Sequence, residues 1–560
     1  MREEQGGNMR LRTALVCLLV LVAAAWAAAA CTAIIVGKDA SVDGSVMTTH
    51  TCDGWYDSRL RLIPGGTHEE GEMVTIWRNM LHADNPDRQP TPMGEIPQVP
   101  VTYNYFQIAY PFMNEHQVMI GEHTFSGERA LRNPDGGMFY IEELEAIGLQ
   151  RGTTAREVIQ IMGDLAEKYG YADGGEALTV CDGNEGWVFE IVGAGPLWRQ
   201  GDNDPGAVWV ARRVPDNGVY VGANRAQIGE IDLSDPDNYM AGRGIYSVGE
   251  KLGLWDPNSG KTFRFWEVYA PKLDFYNSRR EWRGRSLVAP SLELDPYASR
   301  YPFSVVPDEK LSVADVMAIK RDYYEGTEFD LTQGLAAGPF GTPDRYATSS
   351  SQRPEGQGRV WERAIAMFRC SYVFVSQSRN WLPDEIGGVL WFGPDAPHGT
   401  VFMPIYCGVT ELPESLGIMN RYEFSRDSAW WAFDFVENWA NLAWSYMIED
   451  IREHQQKYEG EFFAMQDAVE GAALALYNTD PALGVSFLTN YTGDAVNRVV
   501  AAQWEFADMM VAKYNDGYIW QGTKSYPQEW LDAVGAGANP ESTLLLSKYK
   551  EIYYGEWEEE

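Results

Sequence analysis

Strand pairs followed by helices and then by further strands predict an α+β chain whose sheets pack between helices. Two short β-branched or apolar runs, residues 32–38 and 45–51, flank a turn rich in Asp and Gly. Residues 139–150 and 154–169 carry apolar side chains at helical spacing. Four strand-like segments, 177–182, 187–192, 208–213 and 219–222, then alternate with turns such as Asp182-Gly183-Asn184 and Pro215-Asp216-Asn217-Gly218.

Taken in order, residues 1–30 read as a leader. Arg10 and Arg12 supply positive charge, residues 13–26 form an apolar core, and Ala28-Ala29-Ala30 fits a small-residue cleavage site, so an exported, periplasmic or extracellular protein is expected. The apolar core falls short of the ~20 residues a spanning helix needs. Cleavage after Ala30 would leave Cys31 with a thiol and a free α-amine. These titrate near about 8.5 and about 7.7–8.0, so proton transfer between them costs little. A lipoprotein signal also places small residues before a cysteine, and a lipid-anchored Cys31 is the rival reading. That signal prefers a larger aliphatic where Ala28 stands.

The runs 32–38 and 45–51 predict a hairpin that starts at Cys31. Residues 64–100, rich in Pro, Gly, Asp and Asn, predict a long loop. A second strand pair is expected at 105–111 and 117–125; Glu122, His123 and Thr124 on it are candidates to border the site, with a half-buried strand face as the default reading. Thr154-Ala155-Arg156-Glu157 has capping-box spacing. Beyond Arg426 the pattern is mainly helical, at 430–456, 462–476 and 493–514, with Asp434 and Glu437 interrupting the most apolar helix. The expected organisation is a leader over 1–30, a catalytic core with insertions over 31–425 and a helical region over 426–560.

Composition narrows the function. The chain carries a net charge of −35, and loss of the three Arg and two Glu of residues 1–30 leaves 42 basic against 78 acidic residues. Such an excess repels phosphate backbones and anionic lipid, which argues against nucleic-acid binding. The 20 Trp and 30 Tyr argue against disorder. Without Cys17 of the leader, Cys31, Cys52, Cys181, Cys370 and Cys407 remain, with no CxxC. An odd count in an exported chain marks one thiol for chemistry, the others pairing or staying buried. Seven histidines without HExxH or another ligand-spaced cluster argue against a metal, and no motif calls for a cofactor.

The run Cys31-Thr32-Ala33-Ile34-Ile35-Val36-Gly37-Lys38-Asp39-Ala40-Ser41-Val42-Asp43-Gly44-Ser45 resembles the start of the dipeptidase A family of cysteine N-terminal-nucleophile hydrolases, relatives of penicillin V acylase, bile-salt hydrolases and secernins. Further likeness lies in Tyr220-Val221-Gly222-Ala223-Asn224-Arg225, in residues 369–379 and in the Trp-rich stretch after Ser428. The resemblance implies an αββα sandwich, two sheets stacked between helix layers, that cleaves dipeptides. It implies Cys31 as nucleophile, Asp53 as the acidic residue after the second strand and Asn224 as an oxyanion donor. In the acylase relatives an arginine stands three residues before that aspartate; here the position is His50. Arg363 and Arg369 are both candidates for a later active-site arginine, and Arg225 and Asp57 are candidate substrate contacts beside the matched motifs. Relatives commonly assemble, so a homo-oligomer is a further expectation. An amidase acting on non-peptide amides is the alternative of the same machinery.

Overall fold

The computed structural model describes residues 31–344, 362–520 and 522–534. The expected leader and residues 535–560 of the expected helical region lie outside them. Two large antiparallel sheets organise the chain. In the first, β1 (Ala33–Val36) and β2 (Val46–Asp53) are paired neighbours, β1 one strand in from the edge and β2 central. The first sheet has the order Val219–Gly222, β1, β2, Cys370–Ser378, Val389–Pro394, Met403–Tyr406. The second has the order Tyr239–Ala241, Ala207–Val214, Gly186–Gly193, Glu176–Cys181, Met119–Thr124, Met113–Asn114, Tyr105–Gln107, Arg61–Ile63.

Register follows from local chemistry. Asp43 Oδ1 accepts from the backbone N–H and the hydroxyl of Ser45 at 3.0 and 2.6 Å, and Gly44 takes φ +88°, so Asp43-Gly44-Ser45 turns the chain back onto β1. Every residue of β2 is buried, which explains the absence of a clean apolar alternation in Val-Met-Thr-Thr-His-Thr-Cys-Asp. Its threonines meet the cost of burial locally: Thr48 donates to the Ile34 carbonyl at 3.0 Å, and Thr51 Oγ1 accepts from Thr32 N at 3.1 Å.

The two sheets face each other at β2. Thr48 and Thr179 hydroxyls meet at 2.6 Å across them, and Gly121 lies so close to the Thr49 carbonyl that any β-carbon would collide with it. Helices α1 (Ile141–Arg151) and α2 (Ala155–Tyr169) serve the second sheet; Gly163 of α2 leaves room for the Trp209 ring. Helix α3 (Phe275–Val288) lies on the first sheet with Gly284 against Val221, and α4 (Val313–Lys320) follows it in the chain. Beyond Arg426, α5 (Ala429–Ala440), α6 (Trp444–Tyr477) and α7 (Pro481–Lys513) also reach the first sheet. Trp430 donates to the Ser371 carbonyl at 3.0 Å and Thr492 to the Pro404 carbonyl at 3.4 Å. No described helix is long and apolar enough to cross a membrane.

Several expectations need correction. The loop expected over 64–100 contains a two-stranded ribbon, Met73–Arg78 against Thr91–Pro97. Its second strand holds Pro92, Gly94 and Pro97, tolerable where only one neighbour is paired. The helix expected over 430–456 breaks after Ala440, where Asn441 is held by Thr342 Oγ1 and by Asp344 Oδ2 at 2.5 and 2.8 Å. The next helix, Trp444–Tyr477, runs without a break through residues 457–461, the interval expected to separate two helices. The capping box is half made. Thr154 accepts from Glu157 N, while the Glu157 carboxylate turns to the N–H and hydroxyl of Thr153 at 2.9 and 2.7 Å.

Candidate active site

Cys31 stands two residues before the start of β1 and is fully buried. Its carbonyl accepts from Arg280 of α3 at 2.8 Å, and the same nitrogen donates to Thr32 Oγ1 at 2.9 Å. The other terminal nitrogen of Arg280 donates to Asn224 Oδ1 at 2.7 Å. Asn224 donates from Nδ2 to the Thr124 carbonyl at 2.7 Å and sits at φ +52°, a left-handed conformation asparagine tolerates better than most residues. One guanidinium thereby joins the start of β1 to Asn224. Gly222 just ahead of it is required by space, since a β-carbon would strike the His123 ring. Burial and the nearby Arg363 charge pull Arg280 down to about 10, which leaves it cationic at neutral pH.

At the far end of β2 the Asp53 carboxylate pairs with Arg363, both fully buried, and accepts from the Cys370 thiol at 3.5 Å. Arg363 also donates to the carbonyls of Ala364 and, at 3.1 Å, Ile365. Burial alone would lower this guanidinium's pKa, but Asp53 outweighs it and raises it. Of the two candidate arginines, Arg363 is the one on Asp53. Arg369 offers its backbone carbonyl to Gly54 N at 2.7 Å.

His50 points from β2 toward the second sheet, where its Nε2 lies 3.3 Å from Glu122 Oε2. That approach is not an aligned hydrogen bond; the Glu176 carboxyl and the Cys31 thiol also neighbour the Glu122 carboxylate. Tyr372 OH stands 3.3 Å from Nδ1, and the rings of Tyr110, Tyr372 and Phe374 meet the imidazole edge-on. Burial lowers the His50 pKa, so the ring is neutral. Burial pushes the Glu122 carboxyl up, but the His50 ring and the Glu176 carboxyl beside it prevail and hold it down to about 2. Glu176, buried against that charge, is raised well above the usual range and keeps its proton. The Cys31 sulfur, a His50 nitrogen and a Glu122 oxygen all lie within 4.8 Å of one another. Burial, Cys52 and the Glu122 charge push the Cys31 thiol up, so it holds its proton unless a base takes it.

Sequence reasoning missed Arg280 and Lys320, because residues between Arg225 and Arg363 were assigned no elements. Signals were there: Asp274 caps α3, and Ser312 and Asp315 form a complete capping box at α4, whose last residue is Lys320. The Lys320 amine donates to the Thr32 carbonyl at 2.6 Å and to Thr51 Oγ1 at 3.2 Å. Burial pushes it down to about 7. Glu122 and His123 were read as a half-buried strand face and are fully buried. His123 meets Tyr220 OH at 3.1 Å and is pushed down to about 3 by burial, so it is neutral. Arg225 is engaged with Glu281 and the Ser299 carbonyl, and Asp57 with Arg59 and Arg61. Both side chains are buried in these pairs. All five described cysteines are free and buried.

Lys320 provides a pH test. Below about pH 7 the amine is protonated in both folded and unfolded chains. Between about 7 and 10.5 only the unfolded chain holds that proton, so this group makes stability rise with pH over that window. Lys320→Met is expected to remove the rise. The stability difference, wild type minus variant, should grow from pH 7 to pH 10 in urea unfolding; a flat difference would mean a Lys320 that stays charged in the fold.

The sequence profile of peptidase family C69 matches residues 30–457. The chain belongs to that family. It is therefore a peptidase, and the likeness of its opening run to dipeptidase A is borne out. A probable dipeptidase of Latilactobacillus sakei is 28% identical over 412 residues, 70% of this chain and 79% of that protein. A probable dipeptidase of Salmonella dublin is 28% identical over 397 residues, 68% and 81% of the two chains. Dipeptidase A of Lactobacillus helveticus is 27% identical over 412 residues, 71% and 79%. The C69 match begins one residue before Cys31 and ends inside α6.

Proposed function

We propose that this C69 peptidase is an exported cysteine dipeptidase whose nucleophile is the Cys31 thiol and whose base is the α-amine of the same residue, freed by cleavage after Ala30. The observation that carries the reading is the convergence on Cys31: Arg280 holds its carbonyl and Asn224 together, and the buried Asp53–Arg363 pair lies at the end of the adjacent strand. The dipeptidase names of the relatives supply the substrate class. Two facing antiparallel sheets with helices packed on each support the four-layer αββα arrangement of N-terminal-nucleophile hydrolases.

In this mechanism the amine takes the thiol proton, the thiolate attacks the peptide carbonyl, and Asn224, its amide plane set by Arg280 and Thr124, donates to the oxyanion. The protonated amine passes its proton to the leaving nitrogen. Water, activated by the same amine, then hydrolyses the thioester. Asp53, itself paired with Arg363, steadies the ammonium by a charge-assisted hydrogen bond.

Intact-mass and peptide analysis of the exported protein tests the first requirement. The expected terminus is an unmodified Cys31 whose thiol is alkylated by iodoacetamide with loss of dipeptide hydrolysis. A diacylglyceryl adduct on Cys31, or a terminus upstream that locks its nitrogen in an amide, would overturn the reading. Dipeptide hydrolysis without action on bulky acyl amides is the expected outcome of a substrate panel.

A further inference from the structure

We propose that the peptidase site doubles as a binding site for a zinc-class transition-metal cation, held by Cys31 Sγ, His50 Nε2 and a Glu122 carboxylate oxygen, and that occupancy reversibly silences the enzyme. The proposal rests on the reading of Cys31 as nucleophile. Three donors of different kinds, sulfur, imidazole nitrogen and carboxylate oxygen, lie within 4.8 Å of one another and come from both sheets. Tetrahedral zinc with bonds of about 2.0–2.3 Å separates its ligands by about 3.3–3.8 Å. The His50–Glu122 approach of 3.3 Å already has that spacing. Bringing Cys31 Sγ in from at most 4.8 Å takes a shift of up to about 1 Å.

The second observation is the state of the donors. His50 Nε2 and Glu122 Oε2 are buried, aimed at each other and without an aligned hydrogen bond among the described residues. A buried imidazole facing a carboxylate in this way is what a bound cation would complete. Tyr372 OH sits on Nδ1, so a ring bound to metal through Nε2 carries its proton on Nδ1 and donates it to the phenol, an outer contact that orients a histidine ligand. Charge also balances. Thiolate, carboxylate and a dication sum to zero, whereas a thiolate alone beside Glu122 places two negative charges in a buried site. Sulfur and imidazole select zinc-class ions over magnesium and calcium. In the processed chain the Cys31 amine and thiol can also close a five-membered chelate on the same ion. Binding releases the thiol proton and occupies the sulfur lone pair that would attack the substrate, so no hydrolysis proceeds until the ion leaves.

The exported enzyme, stripped of metal with chelator and titrated with Co²⁺, tests this. A near-ultraviolet thiolate-to-cobalt charge-transfer band is expected to saturate near one equivalent, in step with loss of dipeptide hydrolysis. Both are expected to reverse with EDTA, and Mg²⁺ and Ca²⁺ to do neither. His50→Gln is expected to move the midpoint of the band to at least about tenfold higher Co²⁺, and Glu122→Gln provides a second variant should the first fail to fold. Glu437→Gln, in the separate Asp344, His398 and Glu437 grouping, is expected to leave the midpoint in place. An absent band, a midpoint that ignores His50 and Glu122, or one that follows Glu437 overturns the site. Hydrolysis that iodoacetamide abolishes and Co²⁺ leaves untouched overturns the metal site while the thiol reading stands; hydrolysis untouched by iodoacetamide strikes the thiol reading itself.

Discussion

Replacing Cys31 by alanine is expected to cut dipeptide turnover by on the order of 10⁴-fold or more while leaving the fold intact. Removal of a nucleophile leaves only what oriented binding and oxyanion donors achieve with water, and such groups are strongly non-additive. The fold should survive because the Cys31 contacts that fix the strand are made by its backbone: the carbonyl is held by Arg280, and Thr32 beside it is held by Thr51 and Lys320. The sulfur of a fully buried side chain is lost, a small apolar deletion costing about 1–2 kcal/mol. Turnover and urea unfolding measured on one preparation separate the two effects. A variant that keeps more than about a hundredth of wild-type turnover would remove Cys31 from the chemistry.

Arg363→Met carries the largest expected cost in stability. It strips the buried Asp53 carboxylate of its cation, and breaking a buried pair from one side costs about 3–5 kcal/mol because a lone charge is left out of water. The Ala364 and Ile365 carbonyls lose a donor at the same time. Adding Asp53→Asn to Arg363→Met should recover much of the loss, since the double variant no longer buries an unpaired charge. Urea midpoints of the two single variants and the double variant measure this coupling. If the double variant is no more stable than Arg363→Met, the pair is not what holds the segment.

How much of this was legible in the sequence depended on the range over which the signal acts. The turn Asp43-Gly44-Ser45 and the strand ending at Gly222 were readable because hydrogen bonding and steric demand act within a few residues there. Cys31 was reached through the leader and motif likeness, Asp53 and Asn224 through motif likeness, and the structure ties Cys31 to Asn224 through Arg280. Arg280 itself was not, because an arginine on a helix of low amphipathic contrast looks like any solvated residue until the strand beside it is known. The same holds for Lys320: nothing nearby in sequence reveals that its amine ends on Thr32 and Thr51. Glu122 was read as one strand face among many, since its partner His50 lies on the other sheet. The choice between Arg363 and Arg369 required the pairing of Asp53 across hundreds of residues.

The contacts that assemble the site close some of the longest loops in the molecule. Arg280 reaches the Cys31 carbonyl across 249 residues, Lys320 reaches Thr32 across 288 and Arg363 reaches Asp53 across 310. Contacts of such separation are reached late in folding, after local helices and hairpins have formed. In the mechanism proposed above, cleavage after Ala30 would therefore not be enough: a half-folded chain carries Cys31 without the Arg280, Lys320 and Arg363 contacts around it, and peptide cleavage would wait for completed folding as well.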